Sequence, residues 1–270
     1  MVSKTEKLYL ELLSLRVATF EDISEKVREI TGKNFNSKYI YSKYVKRLMN
    51  EGKLKRIRRN LYVAIPPLEN PEEYLPDKFL VASKLRENYY LSYHTALEFH
   101  GCAYSFFNEV YVAVNEEDRF DAFSYKNLKF KPVFQRDVET EVEVRKYLNH
   151  NIRVSSKERT FVDCVDRVEY AGGWEELIKS LQRLRINFAK LEKVLMLYKK
   201  DVLFRKVGFV LEILRDTSVF YEHLTDDMLD NLRARVGRSP MYLFRAKPYY
   251  HDKKWNLYIP RNFRELVRGV

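Results

Sequence analysis

Apolar residues recur at helical spacing in three successive stretches at the start of the chain. The first stretch predicts a helix over residues 4–15. The second predicts a helix after Thr19, which forms with Asp22 a pattern similar to a capping box. A third helix is predicted from Ser37 to Asn50, because this segment lacks Gly and Pro and carries a single apolar stripe. The residues of that stripe are Tyr41, Val45, Leu48 and Met49.

The period of the pattern falls to two after Gly52. Residues 53–65 alternate between apolar and basic side chains, and the alternation breaks at Arg59 and Asn60. Because Asn tolerates the positive φ of a tight turn, the segment predicts a β-hairpin with a basic tip. Three helices followed by a hairpin are the element order of a winged helix-turn-helix. In that fold the last helix enters the major groove of DNA and the hairpin touches the flanking backbone.

A change of composition predicts two domains. Residues 67–76 are rich in Pro and acidic side chains and have no periodicity, which is typical of a linker. The expected domains are a winged helix-turn-helix over residues 1–66 and a larger mixed α/β domain over residues 77–270.

The second domain is predicted to contain a small, mainly antiparallel sheet and several helices, so the fold class of the chain is α+β. Helical patterns run from Glu158 to beyond Thr225. The predicted strands are residues 110–114, 128–134, 142–148 and 152–154.

Positive charge is concentrated in the third helix and the hairpin. The formal net charge of the chain is +11; residues 37–60 contain nine Lys or Arg against one Glu, whereas the first 36 residues carry six charges of each sign. A surface that neutralises phosphates gains affinity by releasing condensed counterions, so this distribution favours binding to double-stranded DNA. The residues expected at base edges are Lys38, Tyr39, Ser42, Lys43 and Lys46, with Arg47 on the same face. The residues expected at phosphates or in the minor groove are Lys55, Arg56, Arg58, Arg59 and Asn60.

The same charges are compatible with two further roles. A run of basic residues is commonly a solvated helix face, and the chain could be a protein-interaction module whose N-terminal domain serves only as a docking surface. Residues 233–270 are also basic and rich in aromatic side chains. They either extend the phosphate-binding surface or solvate an aromatic tail.

The bulk composition excludes two classes of protein. Hydrophobic residues at 46% and aromatic residues at 14% exclude a disordered chain. No apolar run approaches the ~20 residues of a membrane-spanning helix, and the start has no signal-peptide pattern, so a cytoplasmic protein without a membrane partner is expected. Cys102 and Cys164 stand in apolar contexts and are expected to be buried thiols.

Motifs for catalysis, metal binding or cofactor binding are absent from the sequence. There is no phosphate-binding loop, dinucleotide fingerprint, nucleophile elbow or metalloprotease motif, and the five histidines are scattered. A metal-dependent nuclease is the less favoured alternative, since Glu143 to Lys146 approaches the acidic-x-Lys signature with an error of one residue. On a strand, that error moves Lys146 to the opposite face. The chain is therefore expected to be no enzyme and to need no cofactor or metal.

Four motifs of the second domain occur in a fixed order. They are residues 90–101, with a Ser-Tyr-His-Thr-Ala-Leu core; residues 154–163, with Glu-Arg-Thr and a later Asp; residues 169–173, ending in Gly-Gly; and residues 205–212, from Arg205 to Glu212. Together with the hairpin, they resemble the AbiEi family of antitoxins from type IV toxin–antitoxin and abortive-infection systems. Tyr93, inserted between the Ser and the His, and Asn60, in place of a common glycine of the hairpin, depart from the family pattern.

This resemblance implies both a fold and a function. The implied fold is a winged helix joined to a mixed α/β domain. The implied function is that of a repressor which binds repeats in its own promoter and counteracts a partner nucleotidyltransferase toxin without necessarily forming a stable complex with it. Glu158, Thr160 and Asp163 of the second motif are expected to act as helix caps and in helix-terminus hydrogen bonds. The oligomeric state is not predicted.

Overall fold

The computed structural model describes residues 2–268, so Met1, Gly269 and Val270 of the predicted domains lie outside the described residues. Runs of strands and runs of helices follow one another along the chain, and the sheets are partly antiparallel and partly mixed, which confirms the α+β fold class. No helix within residues 2–268 is long and apolar enough to span a bilayer.

The chain folds as two compact units. The first unit runs to Glu87 and also contains Phe123–Lys129. The second contains Asn88–Ala122 and the chain from Phe130 onward.

The first unit combines helices with a three-stranded antiparallel sheet of order β1-β3-β2. Strand β3, the central strand, is buried along its whole length. The elements are α1 (Lys4–Leu15), β1 (Val17–Thr19), α2 (Phe20–Thr31), α3 (Ser37–Ile40), a π-helical turn (Tyr41–Val45), α4 (Lys46–Asn50), β2 (Leu54–Arg58), β3 (Leu61–Ala64) and α5 (Lys78–Ser83).

Local signals place the starts of these helices. The Thr19 side chain accepts a hydrogen bond from the Asp22 backbone N–H, and the Asp22 carboxylate accepts one from the Thr19 N–H, which confirms the predicted capping box. Asn36 caps α3 by accepting a bond of 2.8 Å from the Tyr39 N–H. The short strand β1 was not predicted, because three residues are too few to show a period.

The first unit continues past the predicted linker. Within residues 67–76, the Glu72 carboxylate lies 2.6 Å from the Lys55 ammonium. Farther along, Lys84 forms an ion pair of 2.9 Å with Asp22. These contacts join residues far apart in sequence, so the composition of the segment alone does not reveal them.

The second unit is built around a mixed sheet. In this sheet β4 is parallel to β9 and antiparallel to β5, and β8 is antiparallel to β9. The strand order within this unit is β7-β5-β4-β9-β8. The elements of this stretch of the chain are β4 (Tyr89–Leu91), α6 (Tyr93–Phe99), β5 (Glu109–Val114), β6 (Phe123–Tyr125), β7 (Leu128–Phe134), β8 (Val142–Tyr147) and β9 (His150–Ser155). Of these, β6 belongs to the first unit.

Helices and a small second sheet complete this unit, and their apolar faces share one hydrophobic core with α6 and β5. The sheet has the order β10-β12-β11. The elements are α7 (Lys157–Asp166), a 3-10 turn (Val168–Ala171), α8 (Gly173–Leu181), α9 (Phe188–Tyr198), α10 (Asp201–Thr217), α11 (Asp226–Arg233), β10 (Met241–Tyr242), β11 (Tyr249–Asp252), β12 (Leu257–Pro260) and α12 (Phe263–Arg268).

A fully buried arginine ties α10 to the segment that carries this second sheet. The Arg205 guanidinium donates hydrogen bonds to the Asp201 carboxylate at 2.7 Å and to the backbone carbonyls of Gly237, Ser239 and Asn256 at 2.8, 2.8 and 2.9 Å. Burial of a cation is tolerated when its donors are satisfied in this way. Arg205 therefore fixes the chain on both sides of β10.

Arg205→Ala is expected to lower the free energy of unfolding of the second unit by about 3 kcal/mol, because it removes the donor to three carbonyls and a carboxylate. The measurement is urea unfolding followed by circular dichroism. The matched control is Arg215→Ala on the same helix, which breaks a solvated pair of 2.9 Å with the 75% exposed Asp226 side chain and should have an effect below about 1 kcal/mol. Equal losses in the two variants would contradict the anchoring role of Arg205.

Candidate nucleic-acid interface

The third helix of the first unit is one continuous helix with a π-helical turn in the middle. The Lys46 N–H bonds to the Tyr41 carbonyl, five residues earlier, instead of the carbonyl four residues earlier. A π turn therefore acts as an insertion of one residue, and every side chain before it shifts by one position around the helix.

This shift corrects the predicted apolar stripe. Tyr41, which was expected to pack on the core, is 38% exposed, whereas Ile40 takes the buried position with 4% exposure. The remaining core contacts come from Tyr44, Val45 and Leu48, which are buried. The prediction was wrong at Tyr41 because it assumed α-helical spacing along the whole segment.

All six predicted contact residues of this helix are exposed. They are Lys38, Tyr39, Ser42, Lys43, Lys46 and Arg47. Among residues 2–268, no ion-pair partner is found for Lys38, Lys43 or Lys46, so their charges face solvent.

Arg47 differs from these lysines because a carboxylate neutralises it. Its Nε lies 2.9 Å from the Glu51 carboxylate, one helical turn later. The hydrogen bond from Arg47, with a second one from Lys53, lowers the pKa of Glu51. Arg47 and Lys53 thus share a counter-charge within the unit.

Tyr39 is partly exposed, and its ring is held by two other aromatic residues. The ring stacks on Phe35 with centroids 4.5 Å apart and meets Tyr44 edge-on at 6.5 Å. With 41% exposure, Tyr39 presents an ordered aromatic surface beside Lys38 and Ser42.

The hairpin has the predicted turn. Asn60 has φ 62°, which is the left-handed region that Asn tolerates. The Asn60 carbonyl accepts a hydrogen bond of 3.0 Å from the Phe20 N–H at the start of α2, so the tip is attached to the helices. A bulge between Arg56 and Arg58 shifts the register of β2.

The four predicted cations of the hairpin fall into two classes. Arg56 and Arg59 are exposed. The Arg58 guanidinium stacks on the Phe123 ring at 4.6 Å, and Lys55 is paired with Glu72. The hydrogen bond from Lys55 lowers the pKa of the Glu72 carboxyl.

A cleft of about 520 Å³ lies beside the tip of the hairpin within the first unit. Its lining includes Arg58, Arg59 and Asn60 and also Lys84 and Arg86, two basic residues that the sequence analysis assigned to the second domain. Because the sequence was divided at the Pro-rich stretch, these two residues were missed.

The histidines of the second unit do not form a metal site. His94 is fully buried, with its ring nitrogens 3.2 Å from Glu98 and 3.1 Å from Glu176. The Nε2 of His100 instead lies 2.8 Å from the Ser155 carbonyl. Within residues 2–268, no group of three or more His, Cys, Asp or Glu side chains is placed to hold a metal ion.

Glu143, the residue of the nuclease alternative, is occupied by cations. Its carboxylate accepts a hydrogen bond of 2.9 Å from Arg145 and lies 3.3 Å from the Lys190 ammonium. Burial alone would raise the pKa of Glu143, but these two partners lower it overall.

The second motif of the second unit forms a buried polar network. Arg159 donates to the Tyr90 hydroxyl at 2.8 Å and lies 3.6 Å from the Asp163 carboxylate, which also accepts from the Tyr198 hydroxyl. Burial raises the pKa of Asp163 to about 6. Thr160 bonds the Ser156 carbonyl at 2.8 Å, as expected near a helix start, whereas Asp163 lies in mid-helix and links α7 to Tyr198 of α9.

Comparison with solved structures identifies a protein of similar fold. The crystal structure of the RV2827C protein from Mycobacterium tuberculosis matches with a TM-score of 0.67 and 14% sequence identity, and the match covers 99% of this chain and 95% of that chain. At this identity the similarity concerns the fold alone. A scan against family models and a search of the curated proteins both found no match.

Ile40→Ala is expected to destabilise the first unit by about 2–4 kcal/mol, since it leaves a cavity in the core of that unit beside α2. Tyr41→Ala should change the stability by less than about 1 kcal/mol, because much of that ring is already in solvent. Chemical denaturation of both variants checks this order. A larger loss at Tyr41 would indicate an α-helical register and would contradict the π turn.

Proposed function

We propose that the first unit is a winged helix that binds double-stranded DNA. The observation that carries the proposal is the exposed face of the third helix, where Lys38, Lys43 and Lys46 lie beside Tyr39 and Ser42 with no counter-charge from the described part of the chain. A helix that buries one face and presents cations on the other is suited to the major groove, which has the width of an α-helix.

The order of the elements supports this proposal. A helix, a short strand, two helices and a two-stranded hairpin follow one another, and the hairpin is held to the start of α2. In winged helices the last helix reads the groove and the hairpin lies along the backbone. The exposed Arg56 and Arg59 would therefore meet phosphates.

Basic residues that are paired within the first unit have a different role in this proposal. Arg47, Lys55 and Arg58 already have partners within the unit, so they shape the surface more than they add free charge to it. In the cleft beside the hairpin tip, Lys84 is likewise paired, with Asp22 at 2.9 Å, and Arg86 donates to the Leu85 carbonyl.

We further propose a non-enzymatic repressor of the AbiEi antitoxin type. The resemblance of the four motifs supports this step and makes repeats in the chain's own promoter the DNA target. It also makes a nucleotidyltransferase toxin from a neighbouring gene the protein to be counteracted. If the first unit were only a docking surface for a protein, the chain would not shift upstream DNA in a gel.

The double substitution Arg56→Ala/Arg59→Ala is expected to weaken binding to all duplex sequences and to reduce its salt dependence. Each lost phosphate contact lowers the slope of log K against log salt by about 0.9, so the double variant should lose about 1.8. Fluorescence anisotropy with labelled upstream DNA at several salt concentrations measures the slope.

Lys7→Ala provides the matched control for the hairpin variant. Lys7 is an exposed cation of the same unit on α1, outside the proposed surface. It should leave the slope unchanged. If the double variant kept the slope of the wild type, the hairpin would not contact the backbone.

Lys43→Ala is expected to change the preference among operator sequences, because a side chain at a base edge discriminates by about 1–3 kcal/mol per base pair. Competition gel-shifts with single-base variants of the upstream DNA measure this preference. A uniform weakening across all variants would assign Lys43 to a phosphate instead of a base.

A further inference from the structure

One face of the small C-terminal sheet carries four aromatic rings beside Pro260. In the register of the three strands, Tyr258 of β12 pairs with Tyr242 of β10 on one side and with His251 of β11 on the other. Directly paired residues lie on the same face of a sheet, and so does Tyr249, two residues before His251.

The rings form a continuous row. The Tyr258 centroid lies 5.1 Å from the Tyr242 centroid and 5.1 Å from the His251 centroid, and Tyr242 lies 5.1 Å from Tyr249. His251 is further oriented by Asn256, whose side-chain oxygen lies 2.9 Å from its Nε2. Mutual contacts of this kind hold aromatic side chains in place.

This aromatic face is open to solvent, whereas the central strand β12 buries its residues of the opposite face. Tyr242 is 45% exposed, His251 is exposed, and Tyr249 and Tyr258 are half-buried. On the other face, Leu257 and Ile259 belong to the hydrophobic core. The aromatic row therefore contributes little to the core, and core packing does not account for its composition.

The sheet that carries the row is rigidly attached. Arg205 binds the carbonyls of Gly237, Ser239 and Asn256. The Trp255 ring lies against Gly208 of α10, where an added Cβ would come within 2.1 Å of the ring. A platform fixed in this way loses little conformational freedom when it binds a ligand.

Exposed cations lie within three residues of the ends of the strands. Among residues 2–268, none of them has an ion-pair partner, so they add positive potential around the aromatic face. They are Arg238, Arg245, Lys247, Lys253 and Arg261.

We propose that this aromatic face binds single-stranded nucleic acid by stacking unpaired bases on Tyr242, Tyr249, His251 and Tyr258, while the surrounding cations hold the phosphates. Aromatic rings spaced along a sheet and flanked by Lys and Arg are the arrangement that suits a strand of stacked bases next to a charged backbone. Duplex DNA fits less well, because its bases are already stacked on one another. The site belongs to the second unit and does not depend on the proposed duplex binding of the first.

The test measures the binding of fluorescein-labelled oligo(U) and oligo(dT) of about 12 nucleotides to the full chain by fluorescence anisotropy. The double substitution Tyr242→Ala/Tyr258→Ala should weaken binding at least about tenfold, because each ring that is removed takes away the stacking contact of one base. Tyr242→Phe/Tyr258→Phe keeps the rings and should bind within about twofold of the wild type. A preference for oligo(U) over oligo(dT) would identify RNA as the source of the strand.

The same variants separate this proposal from the proposed function. Both tyrosine variants should bind duplex upstream DNA as the wild type does, whereas Arg56→Ala/Arg59→Ala should weaken duplex binding and leave oligonucleotide binding unchanged. Failure to bind either oligonucleotide would overturn the proposal and leave protein docking as the use of this face. Equal binding by the alanine variant, or a loss of duplex binding in it, would also overturn it. Unchanged circular dichroism and melting temperature establish that the alanine variant is folded.

Discussion

The packing of the third helix on α1 and α2 is the constraint on which the surface of the first unit depends. Ile40, Tyr44, Val45 and Leu48 fill the core, and the helix can bury one face only. The opposite face, with its lysines, is left in solvent as a direct consequence. The π turn adjusts this division by one residue, and it thereby sets which of the polar residues before Tyr41 point outward beside Ser42 and Lys43.

In the second unit, the corresponding constraint is the cost of removing charged groups from water. Buried charges require partners, and Arg159, Asp163, Arg205 and His94 each find them in elements distant along the chain. The motifs that resemble the AbiEi family are therefore largely a framework of buried polar contacts. One product of that framework is a fixed aromatic sheet, whose position follows from the hydrogen bonds of Arg205.

The two proposed binding surfaces differ in how far the sequence reveals them. The basic helix and hairpin are visible as a local excess of Lys and Arg, and the turn at Asn60 follows from residue type. The aromatic row is not visible, because Tyr242, Tyr249 and Tyr258 are brought together by the pairing of three strands. Lys55 is paired with Glu72 and Arg58 stacks on Phe123, and both partners are distant in sequence. The sequence therefore could not predict which cations of the hairpin have partners within the unit.

Periodicity and residue type were sufficient for the features that depend on neighbours within a few positions. These are α1, the capping box of α2, the hairpin turn and the α+β class, because each is governed by local backbone preferences and by the alternation of apolar and polar side chains. The extent of the first unit, the exposed position of Tyr41 and the grouping of aromatic residues on one sheet face depend on packing between distant segments. Only the folded chain decides these, since burial of a side chain is a property of its surroundings and not of its place in a pattern.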